Sequence, residues 1–212
     1  MTTHNPALIR FITGRYRDLQ GLSTVADAGL LVLGAGAAYL GRSGWVASPW
    51  KFVLLAAYMA YVWARFTLIR RWIDAYYASR CGRVDWNLAF PFAFPLYLQG
   101  LLTAPLLIYF HVPAPVRVAL VMVLLAGLPA WIAVRDWPYR AHWLLPLAAG
   151  VVLALGFATV TTPAQSFAWL SDAYFAGGVS LALAGLLDHT LLLKTLQAGP
   201  SGQAEGAPVQ AP

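Results

Sequence analysis

The sequence predicts an all-α fold: a polytopic membrane bundle of six transmembrane helices, preceded by a short amphipathic interfacial helix. Three observations carry the expectation. Six stretches are apolar and close to the roughly 20 residues a helix needs to cross the hydrocarbon core. The chain is 60% hydrophobic and 10% charged, where a soluble domain carries about a quarter charged residues. The basic residues gather on alternate connections between the apolar stretches, as the positive-inside rule requires of a multi-pass protein.

The elements follow in order. Residues 1–21 form an N-terminal segment. Within residues 6–20, Leu8, Ile9, Ile12, Tyr16 and Leu19 share one arc at helical spacing, while Arg10, Thr13 and Arg17 lie opposite. Arg15 interrupts the apolar arc and can snorkel to headgroups. This segment lacks a continuous apolar core, so no cleavable leader is expected. The first span covers about 22–41, with Asp27 inside it. The second covers about 50–69, with Arg65 inside it, and its helix continues to about residue 80 because Arg70 and Asp74 stand at i,i+4.

The third span, about 88–110, contains Pro91, Pro95 and Pro105, so it must be kinked or partly unwound. The fourth covers about 115–134 and the fifth about 143–160. The sixth starts after Thr161-Thr162-Pro163 and covers 165–196, a helix about 48 Å long at 1.5 Å per residue. The tail, 197–212, is rich in Pro, Gly, Ala and Gln with nothing to bury, and is expected to be disordered. No internal repeat relates the first three spans to the last three.

Charge sets the orientation. Arg10, Arg15, Arg17, Arg70, Arg71, Arg80, Arg83, Arg135, Arg140 and Lys194 fall on one side, and Arg42, Lys51 and Arg117 on the other. Ten against three places both termini in the cytoplasm of a cell-membrane protein. The net charge is +6, but the arginines are spread along helix ends rather than gathered into a patch. They point to anionic lipid headgroups rather than nucleic acid. Cys81 is the single cysteine, so no internal disulfide forms.

With that topology Asp27, Arg65, His142, Asp188 and His189 converge on the cytoplasmic leaflet. Charges inside a span cost roughly 3 kcal/mol at mid-membrane on insertion scales, so they are usually paired and turned inward. The expectation is a buried polar cluster of Arg65 with Asp27 or Asp188, with His189 nearby. Two other readings stay open: Thr24-Val-Ala-Asp27 is a capping-box pattern, and Arg65 can snorkel. Small residues mark the packing faces. Gly34, Ala38 and Gly41 follow Asp27; Ala173, Gly177, Ser180 and Ala184 run into Asp188; Gly178, Ala182 and Gly185 run into His189. Tyr58 and Tyr61 share the Arg65 face, and Asp172 lies toward the other end of the sixth span.

No catalytic, nucleotide-binding or metal motif stands out, and no cofactor is implied. Gly41-Arg-Ser43-Gly44 resembles the GxSG string of rhomboid intramembrane proteases, but a serine needs a base within reach. Ser43 and His189 are expected at opposite faces of the membrane. Haem ligation by His142 and His189 is compatible with their side but carried by nothing else. The layout of surface helix, six spans, basic extensions and a Pro-broken third span resembles that of ABC-2-type exporter permeases. The resemblance covers architecture alone and transfers no residue role.

It implies the membrane-embedded subunit of a transport system, docking an ATPase through residues 6–20 and 70–85. Arg15, Arg17, Arg70, Arg71, Arg80 and Arg83 are then contacts for partner or lipid. The alternative is a non-transporting anchor or sensor that holds a cytoplasmic regulator; an intramembrane enzyme ranks third. Homo- and hetero-oligomers are both compatible with the sequence.

Overall fold

The computed structural model describes Leu19 and residues 21–42, 48–81 and 106–197. The surface helix expected over 6–20, the third span up to residue 105 and the tail from Ala198 lie outside the described residues. So do Arg15, Arg17, Ser43 and Arg83, and the side chains of Arg80 and Cys81.

Every element among the described residues is helical. α1 is Gly21–Arg42 and α2 is Ser48–Ala64. A π-type turn, Arg65–Ile69, joins α2 without a break to α3, Arg70–Cys81. A single helical turn over 106–109 precedes α4, Ala114–Arg135. A 3-10 turn, Ala141–Trp143, leads into α5, Leu144–Gly156, which ends in a second 3-10 turn, Phe157–Thr159. α6 is Pro163–Gln197.

The start of α6 follows from its sequence. The Gln165 side-chain oxygen accepts from the amides of Thr161 and Thr162, at 2.9 and 3.2 Å, and Thr162 Oγ1 accepts from the Gln165 amide at 3.3 Å. That reciprocal box satisfies helix-opening donors, and Pro163 occupies the position where a missing N–H costs nothing.

Three helices among the described residues are long and apolar enough to cross a membrane: Ala114–Arg135, Ala141–Thr159 and Ala164–Thr195. The apolar part of α1, Gly21–Gly36, is shorter. Leu120, Val123, Val152, Leu155 and Leu183 are exposed along the three long helices, an arrangement suited to lipid rather than water. Among the described residues the chain is all-helical, and by length and composition these three helices support a membrane protein.

α6 is the central strut. On one side it packs along α1 with small residues at the crossing. A Cβ on Gly185 would lie 2.7 Å from the Gly21 carbonyl oxygen, and one on Gly178 would lie 3.0 Å from that of Ala28. Only hydrogen fits there, so the backbones approach closely. Ser171 Oγ, donating to the Ala35 carbonyl at 3.2 Å, ties the far end of the same pair. On its other side α6 meets α5, where Trp169 Nε1 donates to the Leu153 carbonyl at 3.0 Å and the Trp169 and Phe157 ring centroids lie 4.5 Å apart. α4 and α5 form a hairpin whose close approach is marked by Gly150, where a Cβ would lie 2.8 Å from the Leu125 carbonyl oxygen.

Candidate functional site

The polar residues gather at the end of the bundle where α1 begins, α2 passes into α3, α4 turns into α5, and α6 nears its end. They form two separate charge networks and one hydroxyl–imidazole pair.

The first network joins α1 to α2. Arg65 is 4% exposed. Its Nε donates to Asp27 Oδ1 at 2.7 Å, and Nη2 approaches the same oxygen at 2.6 Å. Nη2 also donates to Ser23 Oγ at 2.9 Å and to the Ser23 carbonyl at 3.2 Å. The π turn starts at Arg65: the Arg70 amide donates to the Arg65 carbonyl, five residues back. Tyr61, one turn earlier, donates to the Ala26 carbonyl at 3.3 Å, and the Tyr58 ring lies against Gly34. α1 is already helical from Gly21, ahead of Thr24, so Asp27 sits inside the helix and faces Arg65 rather than capping the start.

The second network joins α6 to the α4–α5 turn. Asp188 is fully buried and accepts from four donors. Oδ1 takes Arg140 Nε at 3.0 Å and His142 Nε2 at 2.8 Å; Oδ2 takes Trp143 Nε1 at 2.9 Å and Arg140 Nη2. Arg140 Nη1 reaches Asp136 Oδ2 at 3.1 Å, and Arg135 grips Asp136 with Nε and Nη2, both at 2.7 Å. Two arginines and two carboxylates balance. Burial raises the Asp136 carboxyl, but hydrogen bonds and charge from Arg135 and Arg140 outweigh it and hold the group below its ordinary value of 3.8.

Of the two acids expected for Arg65, Asp27 is the one it holds, whereas Asp188 is taken by Arg140, His142 and Trp143. Asp188 and His189 are neighbours on α6 and so point about 100° apart. His189 turns to α3, where its Nδ1 lies 2.9 Å from the Tyr77 hydroxyl, and that hydroxyl also accepts from the Leu22 amide at 3.4 Å. The Tyr76 and Tyr77 rings flank the imidazole, each 5.8 Å away between centroids.

Of the arginines read as contacts for partner or lipid, Arg70 and Arg71 are exposed on α3. Arg70 Nε lies 4.0 Å from Asp74 Oδ2, a surface pair of small worth. Burial raises the Asp74 carboxyl, with Arg70 and then Arg65 opposing.

Arg140 and Trp143 were missed by sequence reasoning. In the sequence Arg140 counts only toward the cytoplasmic positive charge; the signal that could have found it is Asp136–Arg140 at i,i+4 in the turn on the same side as Asp188. Among the described residues no group of three or more His, Cys, Asp or Glu could hold a metal ion. Comparison with protein-family models, curated proteins and solved structures gives no match. Both networks join helices to one another.

Proposed function

We propose that this chain is a six-span protein of the cytoplasmic membrane, with both termini in the cytoplasm, acting as the membrane-embedded, permease-like subunit of a transport system. The three long apolar helices supply half of that span count, and α1, α2 and the 88–110 stretch supply the rest. The positive-inside bias sets the orientation.

One observation carries the reading. The Arg65–Asp27 pair, the Tyr77–His189 pair and the Asp188 network all lie at the end where α3 extends with Arg70 and Arg71 exposed. A cytoplasmic partner that moved α3 would pull directly on α1 and α6 through these bonds. The π turn between α2 and α3 fits such a joint, because single π turns often stand at functional positions.

The full burial of Asp188 favours a second reading, a non-transporting anchor or sensor whose cytoplasmic end is locked. Affinity purification from the native membrane, followed by identification of the co-purifying proteins, separates the two. A P-loop ATPase supports the transport subunit. A signalling or DNA-binding protein, or no partner at all, supports the anchor.

A further inference from the structure

Arg117 is a buried cation that neither network uses. It lies in the first turn of α4, at the end of the bundle opposite Asp188, and is 9% exposed. Nη1 donates to the Val160 carbonyl at 3.0 Å, and the guanidinium carbon stands 5.7 Å from the Phe157 ring centroid. Nε is buried without a hydrogen-bond partner among the described residues. Among the described residues no carboxylate forms an ion pair with Arg117. Asp27, Asp74, Asp136 and Asp188 lie at the other end. Asp172, about 24 Å along α6 from Asp188 at 1.5 Å per residue, is exposed.

A buried guanidinium facing only a carbonyl and a ring is incompletely compensated. Its position at a helix N-terminus adds to the positive potential there. Pro113 gives that terminus no side-chain cap, and no acidic residue stands in its first turn. Helix and arginine together call for an anion.

The surroundings say which anion. α4 has 22 residues, about 33 Å, so its first turn lies at the level where headgroups begin. Tyr109 and Phe110, just before it, are exposed aromatics of the kind that sit at that level. Below them Val116, Leu120 and Val123 form an exposed apolar stripe at i, i+4, i+7, a track for an acyl chain.

We propose that Arg117 and the opening turn of α4 bind the phosphate of a membrane phospholipid whose chain lies along Val116, Leu120 and Val123. The inference rests on α4 crossing the bilayer and not on transport.

The test uses the full chain in detergent, in an Arg70→Ala/Arg71→Ala background that removes the exposed basic surface of α3. Native mass spectrometry counts retained lipid after addition of phosphatidylglycerol, phosphatidylcholine or diacylglycerol. Both phospholipids should be retained about tenfold more tightly than phosphate-free diacylglycerol, the ratio expected for one charge-assisted hydrogen bond. Arg117→Gln, which removes the charge and keeps an amide near the position of Nε, should lose that preference. Equal retention of all three lipids by the parent protein, which needs no variant, overturns the proposal, as does an unchanged preference in Arg117→Gln. Inorganic phosphate raising the melting temperature as much as phospholipid does would overturn the lipid assignment.

Discussion

Asp188 shows how one buried carboxylate can organise a helix junction. Its four donors come from three residues of one turn, so neutralising it leaves buried Arg140 sharing the single Asp136 carboxylate with Arg135. Breaking a buried pair in this way costs about 3–5 kcal/mol. Asp188→Asn is therefore expected to lower the melting temperature in detergent sharply, and adding Arg140→Met should recover part of the loss. Asp27→Asn and Arg65→Met should couple in the same manner, whereas Arg65→Met and Asp188→Asn should be nearly additive because they share no partner. A melting-temperature cycle over these variants checks all three statements.

Asp136 adds a pH dependence whose sign is fixed. Its carboxyl is held below the ordinary 3.8, so its contribution is complete above that value and is lost as pH falls through the depressed one. The gap in melting temperature between the native chain and Asp136→Asn should be constant near neutrality and close as pH drops below about 4.

Those partners also mark the limit of what residues alone disclose. That Asp27 and Arg65 need protection from lipid is legible from their depth in apolar runs. Which acid meets which base is not, because two helices bring acids to the same end. Arg140 was hidden for a different reason: a basic residue in a connecting turn reads as solvated until the turn is seen folded back onto α6.

The α2–α3 junction carries the clearest element-level signature. In an unbroken α-helix the residues seven and eleven beyond Arg65, Trp72 and Tyr76, would share its face. In the structure Ile73 and Tyr77 do so instead, at 3% and 2% exposure, while Trp72 is 62% exposed. The π turn adds one residue and rotates α3 by about 100°, which brings Tyr77 to His189. Deleting exposed Phe66 should convert the junction to ordinary α-helix with Ile73 and Tyr77 still inward, and leave the melting temperature close to that of the native chain. Inserting one alanine after Phe66 should swing Tyr77 away and lower the melting temperature at least as much as Asp188→Asn. Helix continuity from residue 50 to 80 was legible in the i,i+4 charge pair; the extra residue was not, because Trp72 and Ile73 are both apolar and periodicity cannot choose between them. The close α1–α6 crossing was foreshadowed by Gly178 and Gly185, since small residues at that spacing have few other uses in a span.

At the scale of the molecule, the three helices from Ala114 to Gln197 read directly from their apolar length, and α4 and α6 end within about two residues of the expected bounds. The proposed function and lipid site both depend on α4 crossing the bilayer, with the Asp188 network at the cytoplasmic end. His111, before α4, and Trp137, in the turn after it, are both exposed and bracket the helix. Each can be replaced singly by cysteine in a Cys81→Ser background and probed with a membrane-impermeant maleimide. The account predicts that His111→Cys labels in intact cells and that Trp137→Cys labels only after permeabilisation. Labelling of both in intact cells, or of neither until the membrane is opened, would contradict it.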